Sequence, residues 1–454
     1  MGFKFLLPSF PYMSNKKDKD SALVIGNGMR EHALQVLLQK HGHKTFVAPG
    51  NGGTENNIDI SVDKNPEDPL PSFQELAKQA LKLNALTIVG SEWSLTKGIK
   101  NYFADRGLPL FGPSLEASVF EGKKSWAKQF LRRWDVPTAE FYITDDRDDA
   151  LHYIMKRGFP TVIKYEELAG GKAVSVCRTR GESKSFLDRI YDKEEFGKCK
   201  TVVIEDYLKG EEGSFMALSD SKDIVPLATS QDHKPVGDND TGPNTGGMGA
   251  YSPAPVITGE LYQKFIEISN KINYGMKKEG RPFTGVIYLG AMIVGNTPYI
   301  LDTNERFGSP EIEAVGVRME SDLYPYFKAC EDGTLHELEP IIWKPQASVC
   351  VVIASKGYPG HYGKGKKIFG LDKIEELKRE GELKDFYVFH GGTKKMDGEF
   401  ITDGGRILGV TALGDGILDA IDMTYKGVYQ IEIEGGAHFR TDIGRKALRY
   451  LNGL

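Results

Sequence analysis

The stretch of sequence on which the fold assignment rests reads YILDTNERFG and covers residues 299–308. An apolar run there precedes Asp302, Asn304 and Arg306, which stand at alternate positions, so a β-strand would present all three side chains on one face. Carboxylate and amide oxygens suit Mg²⁺, and a guanidinium beside them can hold a phosphate or carboxylate oxygen. The same pattern is also typical of the solvated face of an edge strand, and the residues alone leave both interpretations open.

The composition describes a multidomain globular protein. At ~150 residues per domain, the 454 residues predict about three domains. With 58 Lys and Arg against 63 Asp and Glu, the net charge of −5 is too balanced for a nucleic-acid-binding surface. The four cysteines lack the spacing of a zinc site, and no apolar run reaches the ~18 residues of a membrane span. We therefore expect a cytoplasmic protein with no nucleic-acid partner and no membrane segment, preceded by a flexible extension over residues 1–20.

The N-terminal part carries the pattern of a parallel α/β sheet. A strand is predicted over residues 22–25, a glycine turn over 26–28 and a helix from Glu31 onward, with further strands over 44–48 and 86–90. Strands that alternate with helices imply a parallel sheet. The turn is not a nicotinamide-binding fingerprint, because Glu31 stands where the third glycine would be. Its free N–H groups at a helix N-terminus suit a phosphate, and a purely structural turn is the alternative.

Two lysines and an acidic strand end are candidates for nucleotide binding. Lys124 lies on a predicted helix, and Lys164 ends an apolar strand over 159–164, where a point charge facing a cleft could hold a polyphosphate. A glycine hairpin over 168–174 follows and is suited to closing over a nucleotide. The strand over 201–205 runs into carboxylates that could accept ribose hydroxyls. Surface lysines and a solvated acidic turn are the alternatives.

The second half of the chain contains one long glycine-rich segment and a change of pattern. Residues 231–255 form a polar loop without an apolar run, and loops of this length in a compact domain are usually functional or disordered. From about residue 347 the sequence turns to alternating strands and glycine turns. This change indicates a third, smaller unit.

The order of these features resembles the ATP-grasp ligases and, among them, the glycinamide ribonucleotide synthetase family. The motifs that carry the resemblance are REHAL at 30–34, APGNGGT at 48–54, QDHK at 231–234, GDNDTGPNTGGMGAYSP at 237–253, GGRILGVTA at 404–412 and DIG at 442–444. The resemblance implies an α/β protein with an N-terminal preATP-grasp (Rossmann-like) domain, an ATP-grasp fold and a C-terminal α+β domain. The corresponding boundaries are 21–123, 124–345 with a small lid subdomain at about 138–208, and 346–454.

The resemblance also implies an activity. Members of the family join glycine to 5-phosphoribosylamine through glycyl phosphate, giving glycinamide ribonucleotide, ADP and phosphate in purine biosynthesis. The expected cofactors are ATP and Mg²⁺ or Mn²⁺, and the expected assembly is a monomer or homodimer. The resemblance assigns Lys124 and Lys164 to the α- and β-phosphates of ATP, Glu205 and Leu208 to the adenine and Glu212 to the ribose. It assigns Asp302 and Asn304 to the metal and Arg306 to the transferring phosphoryl group, with Lys164 and Arg306 also expected to take part in catalysis. Those that it assigns to the two other substrates are Gly28, Arg30, Glu31, Asp238, Asp240, Thr241, Gly246, Gly247 and Met248, with Asp238 also expected to take part in catalysis.

Several positions depart from the family's pattern. The family usually has Glu at Asp302, an aromatic residue at Thr303, Asp at Ser309 and Gly at Met29. The glycine hairpin is also changed and carries additional charge. These departures leave two alternatives open: an ATP-grasp ligase with a changed amino-acid or amine substrate, and a catalytically weak paralogue with a binding role.

Overall fold

The computed structural model of the chain describes residues 20–61, 67–169 and 173–451. The predicted extension, apart from Asp20, and the centre of the predicted glycine hairpin, residues 170–172, lie outside the described residues. No helix within these three ranges is long and apolar enough to cross a membrane.

The N-terminal part forms the predicted parallel sheet, with its strands in the order β2-β1-β3-β4. Its elements are β1 (Ser21–Gly26), α1 (Met29–Lys40), β2 (Lys44–Pro49), α2 (Leu70–Leu83), β3 (Ala85–Val89), α3 (Glu92–Thr96), α4 (Ile99–Ala104) and β4 (Leu110–Phe111). Alternate residues of β1 face opposite layers, because Leu23 packs in the cluster of Phe73 from α2 while Val24 packs in that of Leu34 from α1. The carboxyl ends of β1 and β3 open toward a cleft, as is usual for ligand sites in parallel sheets.

A small antiparallel sheet follows, with the strand order β5-β8-β6-β7. The elements of this part are α5 (Val119–Gly122), α6 (Lys124–Arg133), β5 (Phe141–Thr144), α7 (Arg147–Arg157), β6 (Thr161–Tyr165), β7 (Val174–Cys177), α8 (Arg180–Tyr191) and β8 (Val202–Asp206). The side chains of Asp146 and Thr179 cap α7 and α8 by accepting hydrogen bonds from backbone N–H groups of the first turn. Buried side chains of both helices, among them Ile154 and Phe186, pack on the sheet.

The central sheet has the order β10-β9-β15-β16 and carries the 299–308 stretch at its edge. The elements of this part are β9 (Glu211–Asp220), β10 (Ile224–Pro226), β11 (Gln231–Asp232), β12 (Pro235–Gly237), β13 (Thr241–Asn244), β14 (Gly249–Ser252), α9 (Gly259–Lys278), β15 (Thr284–Val294), β16 (Thr297–Asn304), α10 (Glu311–Val315) and α11 (Tyr324–Asp332). Helix α9 packs through a stripe of apolar residues at helical spacing, which includes Leu261, Phe265 and Ile272.

The C-terminal sheet has the order β11-β14-β17-β22-β19, and β24 also pairs with β17. Its part of the chain contains β17 (Ala347–Ser355), β18 (Ile368–Phe369), α12 (Leu371–Arg379), β19 (Phe386–His390), β20 (Thr393–Met396), β21 (Glu399–Thr402), β22 (Arg406–Gly414), α13 (Ile417–Val428), β23 (Glu432–Ile433), β24 (Ala437–His438) and α14 (Leu448–Leu451). The interpretation of residues 231–255 as one loop was therefore wrong. They supply β11 and β14 to this sheet, and β14 is fully buried against β17.

Two buried histidines join the N-terminal and C-terminal parts of the chain. The backbone N–H of His390 in β19 donates a hydrogen bond of 2.8 Å to Nδ1 of His32 in α1. Asn51 donates its side-chain amide to the carbonyl of His390 at 2.7 Å. Burial lowers the pKa of His32 to about 3 and that of His390 to about 4. Both imidazoles are therefore neutral at neutral pH.

Candidate active site

The cleft has a volume of about 1770 Å³. Residues from the N-terminal part, the small antiparallel sheet, the central part and the C-terminal part of the chain line it. Most of the predicted site residues line it: Gly28, Arg30, Glu31, Lys124, Lys164, Glu205, Leu208, Glu212, Asp240, Thr241, Gly246, Asp302, Asn304 and Arg306. The structure places Asp238, Gly247 and Met248 away from the cleft wall. The side chain of Met248 is fully buried beside Ala354 and Tyr358, where it has a packing role.

The end of β16 presents its polar residues as the alternating pattern predicts. Asp302, Asn304 and Arg306 line the cleft, whereas Thr303 points the other way and donates its hydroxyl to the carbonyl of Phe120 at 2.7 Å. Asn304 is best oriented with its amide nitrogen 3.0 Å from Oε1 of Glu121. That orientation leaves the amide oxygen available as a ligand.

Lys164 belongs to a buried network with Glu205 and a third residue, Lys128. Nζ of Lys164 lies 2.7 Å from Oε1 of Glu205, and Nζ of Lys128 lies 3.1 Å from Oε2 of the same carboxylate. Lys164 also donates to the carbonyl of Leu301 at 2.7 Å, where β16 bulges against β15. Burial lowers the pKa of Lys128 to about 8, even though the adjacent Glu205 favours the charged form. The Glu205 side chain thus supports two lysines.

Lys124 and Asp302 both line the cleft, and their opposite charges interact. Burial lowers the pKa of Lys124, and the charge of Asp302 opposes that shift. Burial alone would raise the pKa of Asp302, but Lys124 and Lys164 outweigh it and hold the pKa below its usual range. Among the described residues, no side chain hydrogen-bonds to the Asp302 carboxylate. An ionised carboxylate and an amide oxygen at this point fit a hard divalent cation.

The strand end after β8 and the start of β9 form the neighbouring part of the wall. Leu208 follows β8 and lines the cleft, and Glu212 of β9 lies 3.9 Å from Nζ of Lys234. Burial disfavours the charged form of Lys234, but Glu212 and Asp302 raise its pKa above the usual value. Lys234 therefore adds a positive charge close to Glu212 and Asp302.

The glycine turn after β1 is filled by a side chain of the protein itself. The backbone N–H of Gly28 donates to Oε2 of Glu31 at 2.6 Å. A Cβ atom placed on Gly90, at the end of β3, would lie 1.9 Å from Oε1 of the same carboxylate, and one on Gly26 would lie 2.6 Å from its Cδ. These glycines are therefore required by the close approach of Glu31. The structure favours the structural turn over a phosphate site at this helix N-terminus.

A chain of alternating charges runs from this turn to β16. Arg30 pairs with Glu31 at 2.8 Å and with Glu92 at 3.4 Å, and Glu92 lies 3.5 Å from Nε of Arg306. Arg306 continues to Oε1 of Glu121 at 3.0 Å. Burial raises the pKa of Glu121 to about 7, although the charge of Arg306 opposes this shift. The last carboxyl in this row of charges therefore titrates near neutral pH.

The segment 235–244 is held by Arg440, Thr441 and Lys446 from the C-terminal part of the chain. Thr441 donates its backbone N–H to Oδ1 of Asp238 at 2.8 Å and its hydroxyl to the other oxygen. Asp240 lines the cleft but pairs with Arg440 at 3.0 Å and with Lys446 at 2.7 Å. The acidic residues of this segment are therefore tied to the C-terminal part.

Two buried acidic residues, Asp232 and Glu311, also form part of the cleft wall. Oε1 of Glu311 accepts hydrogen bonds from Tyr288 at 2.7 Å and from Ser214 at 3.2 Å. Burial and the charge of Glu311 raise the pKa of Asp232 well above its usual value. Both acids line the cleft, so this region favours a cationic group.

Sequence reasoning missed several of these residues. Lys128 stands one helical turn after Lys124, and that i, i+4 spacing on one helix was a usable signal. Glu92 and Glu121 pair with Arg306 only through tertiary contacts, at separations for which the sequence offers no periodic signal.

Comparison with protein families covers nearly the whole chain. Residues 20–121 match the N domain of phosphoribosylglycinamide synthetase, residues 122–312 its ATP-grasp (A) domain and residues 348–446 its C domain. Phosphoribosylamine–glycine ligase of Rhodopirellula baltica is 43% identical over 445 residues, which cover 95% of this chain and 98% of that protein. The enzyme of the same name from Vibrio vulnificus is 42% identical over 438 residues, with 94% and 98% covered.

Solved structures show the same architecture. The crystal structure of phosphoribosylamine–glycine ligase from Thermotoga maritima superposes with a TM-score of 0.78 at 28% identity, covering 93% of this chain and 99% of that one. The biotin carboxylase domain of Hydrogenobacter thermophilus 2-oxoglutarate carboxylase, solved with MgADP, gives 0.68 at 17% identity over 92% of this chain and 91% of that one, a likeness of fold alone. The predicted ATP-grasp fold is confirmed. The chain belongs to the phosphoribosylglycinamide synthetase family of ATP-grasp ligases.

Proposed function

We propose that the protein joins glycine to 5-phosphoribosylamine at the expense of ATP. The names of its relatives give the two joined substrates, and the matched ATP-grasp domain supports the use of ATP. The glycine carboxylate oxygen attacks the γ-phosphorus of ATP, and ADP leaves. The amine nitrogen then attacks the carbonyl carbon of glycyl phosphate, phosphate leaves, and the nitrogen loses a proton. The observation that carries the proposal is the juxtaposition of Lys124 and Lys164 with the Asp302, Asn304 and Arg306 face in one cleft.

The two lysines would bind the α- and β-phosphates. Phosphoryl transfer between anions depends on positioning and charge neutralisation more than on a covalent nucleophile. The Lys128–Glu205–Lys164 network supports this role, because it fixes the Lys164 ammonium near the C-terminal end of β6. Glu205 and Leu208 would then meet the adenine and Glu212 the ribose hydroxyls, all from the strand end beside the lysines.

Asp302 and Asn304 would hold the divalent metal, for which we propose Mg²⁺ or Mn²⁺. When bound, such an ion would supply positive charge that neutralises the phosphate oxygens. The ionised carboxylate of Asp302 and the available oxygen of Asn304 suit it. Arg306 would steady the transferring phosphoryl group, because Glu92 and Glu121 hold its guanidinium against the cleft wall.

Glycine and 5-phosphoribosylamine would bind in the same cleft, beside the nucleotide. Gly28, Arg30, Glu31 and the segment from Asp240 to Gly246 line the cleft, as do Asp232 and Glu311. The two buried acids would compensate the ammonium group of glycine, since a cation lowers the cost of keeping both charged. Asp238, Gly247 and Met248 would then contribute by shaping the segment from behind.

Three further assignments belong to the same proposal. The domain boundaries are 21–123, 124–345 and 346–454, with the lid at about 138–208 corresponding to the sheet β5-β8-β6-β7. The protein acts in the cytoplasm on small-molecule substrates. It does so as a monomer or homodimer.

The test is ADP release measured with a panel of amino acids, with and without 5-phosphoribosylamine. We expect turnover with glycine that requires the amine. Turnover with another amino acid and none with glycine would replace the proposal by a ligase of changed specificity. ATP binding without any turnover, or no ATP binding at all, would indicate a paralogue with a binding role.

A further inference from the structure

The C-terminal segment 438–446 makes a continuous set of contacts with residues 235–240. The contacts run from His438 Nε2 to the carbonyl of Val236 at 2.6 Å, through Arg440, Thr441 and Asp442, to Lys446. We call residues 438–446 the C-terminal clamp. It holds a segment that lies some two hundred residues earlier in the sequence.

Arg440 is the centre of the clamp and is completely buried. Its Nε and Nη2 bind the two carboxylate oxygens of Asp442, each at 2.7 Å. Its Nη1 donates to Oδ1 of Asp240 at 3.0 Å and to the carbonyl of Pro235 at 3.1 Å. Asp442 in turn accepts the backbone N–H of Asn239 at 2.8 Å. All three nitrogens of the guanidinium are therefore used, an arrangement that a lysine ammonium cannot reproduce.

The clamped segment adopts a backbone conformation that needs this support. Asn239 and Asp240 both have φ of +56°, in the left-handed region that non-glycine residues rarely adopt. The segment that follows lines the cleft through Thr241 and Gly246, whereas Arg440, Thr441 and Asp442 do not line it. Arg440 can therefore influence a ligand only indirectly, through Asp240, which lines the cleft, and through the backbone of the segment.

We propose that Arg440 is a positioning residue for the phosphate-bearing amine, acting through Asp240 and the backbone of residues 235–240. The inference rests on the proposed function. 5-Phosphoribosylamine is singled out because Lys446, which pairs with Asp240, also lines the cleft and brings a cation beside the clamped segment. The two lysines proposed to bind the phosphates of ATP lie instead on α6 and β6.

The experiment compares KM values for three substrates in R440K and T441V. T441V removes only the hydroxyl that binds Asp238 at an exposed position, so it tests the clamp even if R440K does not fold. We expect KM for 5-phosphoribosylamine, formed in the assay from ribose 5-phosphate and ammonia, to rise about tenfold in R440K and about threefold in T441V, because hydrogen bonds to charged groups are lost. KM for ATP and for glycine should stay within about twofold.

The control is R318K, which alters another buried arginine that binds Gln346, Ser252 and Lys344 away from the clamp. It should lower stability and leave all three KM values unchanged. An unchanged KM for the amine in folded T441V and R440K, or an equal rise in all three KM values, would overturn the positioning role alone. Absence of glycine turnover in the unaltered enzyme would overturn the proposed function and the positioning role with it.

Discussion

Acidification should weaken the contact between the N-terminal and C-terminal parts through His32. Nδ1 of His32 accepts the backbone N–H of His390, so protonation of that nitrogen removes the hydrogen bond and leaves a charge in a buried site. The folded-state pKa of about 3 lies below the usual 6.5 of an unfolded chain. The unfolded state therefore takes up the proton first as the pH falls, and stability is lost between the two values.

The size of the effect follows from this difference in pKa. Between about pH 7 and about pH 5, one histidine that titrates at ~6.5 when unfolded and stays neutral when folded costs about 2 kcal/mol of unfolding free energy. In the variant H32N, the side-chain oxygen can still accept the N–H of His390, but the titrating group is gone. The variant is less stable than the parent at neutral pH because the imidazole packing is lost, yet its pH dependence should be shallower.

The assay is urea unfolding at several pH values between about 7 and 5, with H152N as the control because His152 is exposed on α7. We expect the parent and the control to lose about 2 kcal/mol more than H32N over this range. Equal losses in parent and H32N would refute the reasoning, since His32 would then carry no net proton uptake on unfolding.

Three further predictions concern the cleft. D302A should abolish ADP release while leaving the urea midpoint unchanged, and D302E should retain or raise activity because the longer side chain keeps the ligand; full activity in D302A would contradict the metal assignment. K128M should raise KM for ATP about tenfold, because Glu205 then pairs with Lys164 alone. The control K123M, which alters an exposed lysine next to the same helix, should leave KM for ATP unchanged. Equal KM values in the two variants would exclude the supporting role of Lys128. E31Q should lower the unfolding free energy by about 2 kcal/mol, because both carboxylate oxygens of Glu31 accept hydrogen bonds, from Gly28 and Arg30, and the amide NH₂ group would replace one acceptor by a donor. A loss below about 0.5 kcal/mol would refute the account of the glycine turn.

The sequence predicted those parts of the fold that depend on local periodicity. The strands over residues 22–25 and 44–48 were recognisable because parallel strands buried on both faces read as short apolar runs between turns. The shared face of Asp302, Asn304 and Arg306 followed from the period of two in an extended strand.

The features that escaped prediction depend on tertiary contacts. Strands β11 and β14 are too short to show a strand pattern. β14 is stabilised by pairing with β17, about a hundred residues later, and β11 by pairing with β14. Helices α12 and α13 were likewise not foreseen within a region that reads as strands and glycine turns. The filling of the glycine turn by Glu31 depends on the position of β3, because Gly90 provides the space for its carboxylate.

The filled turn after β1 has a consequence for inhibitor design. Dinucleotide-like compounds gain affinity on Rossmann-type layers from amides that are open to a pyrophosphate, and here a fixed carboxylate already occupies that place. An anionic group placed against the turn itself meets repulsion from Glu31, whereas an amine or a hydroxyl there meets an acceptor. A bisubstrate inhibitor should therefore place the phosphates of its nucleotide part toward Lys124 and Lys164, and an amine or a hydroxyl, rather than a phosphate, should face the turn.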